Sequence, residues 1–215
     1  MDWLAQIVDF ALHLDRYIQS MINWFGAWTY LILFVTIFVE TGLVILPFLP
    51  GDSLLFAAGA FAAVGSFHVG LLFLLLALAA FLGDTANYWI GHKLGPRIFS
   101  GEHVRWLKKE HLDRTHAFYE KYGGETIIIA RFIPIVRTFA PFVAGIGEMS
   151  YLRFLSYNVI GGVAWVALFV FGGYFFGNLP FVKNNFSLVI IAIIFISVLP
   201  GVIEYLRQRR SARPS

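Results

Sequence analysis

Ala130-Arg131-Phe132-Ile133-Pro134-Ile135-Val136-Arg137-Thr138-Phe139-Ala140-Pro141-Phe142-Val143-Ala144-Gly145 is the stretch on which the reading of this chain turns. It is apolar enough for a membrane interior. Yet it carries two arginines, Arg131 and Arg137, and two prolines, Pro134 and Pro141. An arginine at mid-bilayer depth costs roughly 2.5–3.5 kcal/mol on insertion scales. Each proline removes a backbone donor and interrupts the helix ladder. Hydrocarbon tolerates interrupted backbone only where it is buried in protein or lines a wet cavity. A broken, re-entrant element over 125–147, with something to bind, is therefore expected.

Composition sets the surroundings. The 215 residues are 59% hydrophobic and 13% charged, against about 25% charged in a soluble domain. An all-α polytopic membrane protein is expected. It is organised as an interfacial amphipathic helix (1–27), one membrane domain (28–206) and a basic tail (207–215). There is no cysteine, which excludes disulfides and thiol chemistry. Asp2 and the lack of a basic first region argue against a cleaved signal peptide.

Within 2–24, Trp3, Leu4, Ile7, Val8, Phe10 and Ile18 interleave with Asp2, Asp9, Asp15 and Arg16. That pattern suits a helix lying at the interface, or the start of a packed bundle. Trp24 and Trp28 sit where an aromatic belt would be. Spanning segments are expected at 28–46, 68–91, 151–177 and 187–206, each near the ~20 residues a bilayer needs. Glu40 lies inside the first, Asp84 and Asn87 inside the second. Pro47-Phe48-Leu49-Pro50-Gly51-Asp52-Ser53 precedes the apolar run 54–64, a second break in a greasy region, giving a re-entrant segment at 47–66. Residues 92–124 are rich in both charge signs and read as a solvated helical loop. Gly173-x-x-x-Gly177 allows close helix packing.

Lysines and arginines concentrate in 92–124 and in the tail. The positive-inside rule puts both in the cytoplasm. Counting spans, the N-terminus is also cytoplasmic and the two broken stretches enter from opposite faces. That is the arrangement of an inverted repeat meeting at the midplane, as in many secondary transporters. The first half is acidic at its break (Glu40, Asp52) and the second basic (Arg131, Arg137).

Two carboxylates and two guanidiniums in one apolar interior invite pairing. At an effective dielectric near 20, opposite charges ~4 Å apart attract by about 4 kcal/mol. One reading is that Glu40–Arg and Asp52–Arg pairs only hold the hairpins together. The other makes the pairs exchangeable: arginine's planar fork binds phosphate bidentately, and a desolvated carboxylate can take and release protons near neutral pH. An arginine anion site, Arg131 and Arg137, would then be coupled to a proton site, Glu40 and Asp52. Asp84 joins the proton site or pairs locally near Asn87 and Tyr88. Pro47, Pro50, Gly51, Pro134, Pro141 and Gly145 shape the hairpins. No nucleophile–base constellation, Walker loop or His-Glu-x-x-His is present. An enzyme, a metal, a cofactor and a nucleic-acid partner are not expected, and a homo-oligomer stays open.

Glu40-Thr41-Gly42, the Pro47–Ser53 run, Gly83-Asp84, Tyr88-x-x-Gly91 and the Ala130–Gly145 motif together resemble the DedA family. This family of bacterial inner-membrane proteins is also called the SNARE-associated or VTT-domain family. The resemblance covers nearly the whole chain. It implies two opposed re-entrant hairpins and a role in moving lipids across the bilayer, linked to proton-motive force. For bacterial members the implied cargo is undecaprenyl phosphate; eukaryotic relatives scramble phospholipids. The resemblance further implies that residues matching Glu40, Asp52, Arg131 and Arg137 are required. A proton-linked transporter of an anionic lipid head group is the expectation. A proton-coupled ion or drug antiporter and an envelope assembly factor are the alternatives.

Overall fold

Helices make up every regular element among the described residues of the computed structural model, which are 14–43, 51–99, 125–147, 149–186, 188–189, 191–193 and 195. In chain order they are α1 (Leu14–Phe25), α2 (Trp28–Gly42), α3 (Gly51–Ala63), α4 (Val69–Phe99), α5 (Glu125–Ala130), α6 (Pro134–Ile146), α7 (Tyr151–Phe176) and α8 (Pro180–Asn184). Pro47, Pro50, residues 100–124 of the expected loop, most of the 187–206 segment and the basic tail lie outside the described residues.

Among the described residues two helices, Val69–Leu94 of α4 and Tyr151–Phe176, are long and apolar enough to cross a membrane. Leu74 and Leu78 on α4, and Ile160, Leu168 and Phe175 on α7, are exposed; an outward face of this kind suits lipid. α2 has 15 residues, about 22 Å at 1.5 Å per residue, short of a ~30 Å hydrocarbon core. α4 runs beyond the span expected to end at residue 91. Leu94 packs with Phe142 against Ile146, so α6 holds the helix past that point.

The chain divides into two compact units. The first takes residues from 1–35, 48–77 and 165–215, the second from 36–47 and 78–164.

In the first unit, α1 lies against α3. Ile18 is buried, while Trp24 and Trp28 are 85% and 67% exposed. Gly26, at φ 52°, makes the turn out of α1, and Thr29 Oγ1 donates to the Met21 carbonyl at 3.1 Å. α3 is buried along most of its length and crosses the second half of α7 at backbone contact. A Cβ on Gly59 would strike the Val170 carbonyl, and one on Gly173 the Phe56 carbonyl. The glycine spacing read from the sequence thus serves a crossing inside this unit.

In the second unit, Tyr88, Ile127, Ala144 and Phe154 form the buried core, and Tyr88 Oη donates to the Met149 carbonyl. The quoted stretch is a helix, a break and a helix. Proline disfavours the α conformation in the residue before it, and Ile133 is extended at φ −119°, ψ 104°. The helix therefore stops at Ala130 and restarts with Pro134 as its first residue. The expectation that each proline breaks the helix is met at Pro134 and not at Pro141. Pro134 opens α6, where a missing N–H costs nothing, whereas Pro141 lies inside α6 without ending it.

Candidate functional site

Arg131 falls at the break between α5 and α6, and Arg137 in the first turn of α6. Both are buried, 4% and 7% exposed. In the second unit each meets a carboxylate. Arg137 Nη2 donates to Glu40 Oε1, and Arg131 Nη2 donates to Asp84 Oδ2 and to Asn158 Oδ1. Glu40 and Asp84 are 1% and 4% exposed. Glu40 sits in the last turn of α2, where the helix dipole disfavours an anion; the guanidinium supplies what that position lacks.

Glycine brings these helices close enough. A Cβ on Gly83 would collide with Thr41 Oγ1 and lie 2.8 Å from the Phe38 carbonyl, so α2 and α4 touch by backbone beside Glu40 and Asp84. A Cβ on Gly145 would strike the Tyr88 carbonyl, and one on Gly91 the Phe142 carbonyl. Tyr88-x-x-Gly91 and Ala144-Gly145, far apart in sequence, are the two sides of one α4–α6 crossing. Asn87 ties the three helices: its Nδ2 donates to the Thr41 carbonyl at 3.2 Å and to the Thr138 carbonyl at 2.7 Å. Those residues directly follow Glu40 and Arg137. Asn87 Oδ1 is buried with no protein donor.

Asp52 belongs to the first unit. It lies in the first turn of α3, where the dipole favours an anion, and accepts a hydrogen bond from Trp165 Nε1 at 2.9 Å. Both groups are buried.

The VTT domain profile matches residues 49–175. Protein DedA of Escherichia coli is 51% identical over 214 residues, 99% of this chain and 98% of that protein. The chain belongs to the DedA family. An uncharacterized membrane protein of Mycobacterium tuberculosis is 46% identical over 181 residues, 83% of this chain and 79% of that one. The inner membrane protein YqjA of Escherichia coli is 36% identical over 151 residues, 70% and 69% of the two chains. No solved structure matches. With these relatives and its two long apolar helices, this DedA-family chain is a membrane protein.

Of the residues singled out from the sequence, the structure brings Glu40, Asp84, Arg131 and Arg137 into one unit of the DedA-family fold. The pairing has a different carboxylate from the one expected: Arg131 takes Asp84, expected either in the proton site or as a local partner near Asn87 and Tyr88. Gly51 opens α3 and is buried, as is Pro141 within α6. Asn158 and Trp165 were missed. Asn158 left a signal: it is the one amide in a 26-residue apolar helix, and an amide in such surroundings needs partners. Trp165 left none, because an indole in an apolar helix is ordinary core.

Proposed function

We propose that this protein moves an anionic lipid head group, that of a polyprenyl phosphate such as undecaprenyl phosphate or of a phospholipid, across the bacterial inner membrane, linked to the proton gradient. In this reading 47–66 and 125–147 are re-entrant hairpins of an inverted repeat, and both termini are cytoplasmic. The break at 131–133 and the inner-membrane name of YqjA support it.

The observation that carries the proposal is the pair of buried contacts, Arg131–Asp84 and Arg137–Glu40, in an apolar unit. Two guanidiniums face two carboxylates, so the set is formally neutral. A phosphate oxygen that takes a carboxylate's place on an arginine leaves an excess negative charge. A buried carboxylate discharges it by accepting a proton; a guanidinium cannot take part in that exchange, being always charged. Entry of the anion is thereby tied to entry of a proton. Asp52, held by Trp165, provides a second carboxyl for proton exchange. Only the head group needs to pass the polar site, while the hydrocarbon tail stays in lipid.

The test is head-group translocation of labelled undecaprenyl phosphate in liposomes holding the purified protein, with and without a pH gradient, for wild type and Arg137→Ala. Transport is expected to follow the gradient and to be lost with the arginine. A folded wild type that leaves the lipid in place overturns the proposal. Cation movement that survives Arg137→Ala would point to the antiporter instead.

A further inference from the structure

Arg131 is held from α7 as well as from α4. Its Nη2 donates to Asp84 Oδ2 and Asn158 Oδ1, with the Asn158 carbonyl at 3.4 Å. Asn158 is fully buried and is anchored on its other side, Nδ2 donating to the Phe81 carbonyl at 3.3 Å. One turn further along α7, Gly161 and Gly162 leave the room that the arginine fills. A Cβ at 161 would stand 3.0 Å from Arg131 Cδ and 3.1 Å from Nε. A Cβ at 162 would stand 3.4 Å from Cζ, Nη1 and Nη2. The Arg131 Nε–H is buried and no protein atom accepts from it. An unmet buried donor is costly, and the charged N–H of a guanidinium is a strong donor to a phosphate oxygen.

The geometry points to Asn158, with Gly161 and Gly162, as the positioning element that occupies the Nη2 nitrogen of Arg131 and leaves its Nε–H for an anionic head group. The inference rests on the phosphate reading given above. It accounts for the residue type. An amide oxygen accepts from Nη2 without adding negative charge, so Arg131, already neutralised once by Asp84, still attracts an anion. An aspartate at 158 would place two carboxylates on one guanidinium and repel it. A side chain at 161 would push the arginine aside with no change of charge.

The test is the kinetics of labelled undecaprenyl phosphate translocation in liposomes for wild type, Asp84→Asn, Asn158→Asp and the double variant. Asn158→Asp alone is expected to raise KM about tenfold, the size of one charge-assisted hydrogen bond, and to change the maximal rate by less than about twofold. The double variant moves the carboxylate from α4 to α7 across the same guanidinium. Its KM is expected to return to within about threefold of wild type. A double variant no better than the worse single, in a wild type that transports, overturns the inference and leaves the phosphate reading standing. A wild type that does not transport removes both.

If the polar variants do not fold, Gly161→Ala and Gly172→Ala decide. A Cβ at 172 meets only the Phe56 ring at 4.0 Å, so that variant is the control. Gly161→Ala is expected to raise KM about fivefold over it with the maximal rate kept. Equal KM values overturn the inference.

Discussion

Replacing Asp84 by asparagine and Arg131 by glutamine, singly and together, measures what the buried pair is for. Each member is about 4–5% exposed, so breaking the pair leaves a charge in an apolar interior. Asp84→Asn strands the guanidinium, and breaking a buried pair costs about 3–5 kcal/mol. The value is expected near 3, because the new amide keeps an acceptor and Asn158 supplies another. Arg131→Gln strands the carboxylate, which has an escape the guanidinium lacks: it can take up a proton. Its cost is therefore expected to be the smaller, about 1–3 kcal/mol. The double variant holds two amides and no charge, and is expected to cost less than Asp84→Asn alone, giving a coupling of roughly 2 kcal/mol. The assay is reversible unfolding in mixed micelles, run beside head-group translocation. A neutral pair that is as stable as the better single variant yet moves no lipid would separate the charges' role in transport from their role in the scaffold. The reasoning is refuted if Asp84→Asn costs under about 0.5 kcal/mol, or if Arg131→Gln costs more than Asp84→Asn.

Three further outcomes follow from other contacts. Trp165→Phe keeps most of the volume but removes the donor 2.9 Å from Asp52 Oδ1; a loss of about 1.5–3 kcal/mol is expected by micelle unfolding, and the loss should shrink when Asp52 is already alanine. Gly173→Ala drives a Cβ into the Phe56 carbonyl, whereas Gly172→Ala has room; the first should cost more than about 2 kcal/mol and the second less than about 0.5, read by thermal unfolding in detergent. Asn87→Ala takes the amide donor from two carbonyls, those of Thr41 and Thr138; about 1–3 kcal/mol is expected to be lost, with no pH dependence, since no charge changes. Equal unfolding midpoints for Asn87→Ala and wild type would count against that tie.

The parts of this molecule legible in its sequence are those where cost leaves a mark. Arg131 and Arg137 stood out because a guanidinium in hydrocarbon needs a reason, and Pro134 because proline dictates the conformation of the residue before it; the break at Ile133 is where that rule puts it. Glu40 and Asp84 were found the same way. Which carboxylate meets which arginine was not legible. That depends on how α2, α4 and α6 cross, and the crossings are set by backbone contacts at Gly83, Gly91 and Gly145. A glycine in sequence announces that something comes close without saying what. Asp84 shows the consequence. Judged along the chain, its neighbours are Asn87 and Tyr88, but its partner lies 47 residues away. The end of α4 was misjudged for a related reason, because Leu94 is held by α6 rather than by local propensity.

The division of labour between amides and charges bears on how such a site could work. If the ion pairs alone held α2, α4 and α6 together, displacing a carboxylate would loosen the unit at the moment the anion enters. Here the carbonyls beside Glu40 and Arg137 are gathered by the two N–H groups of Asn87, and the helices touch through glycine, whose contacts are indifferent to charge. Asn158 likewise meets Arg131 with an uncharged oxygen. The framework is therefore neutral and fixed, and the charged atoms are the ones left to exchange partners. A cluster built this way can trade a carboxylate for a phosphate without rebuilding its backbone, which is the property that the proposed transport requires.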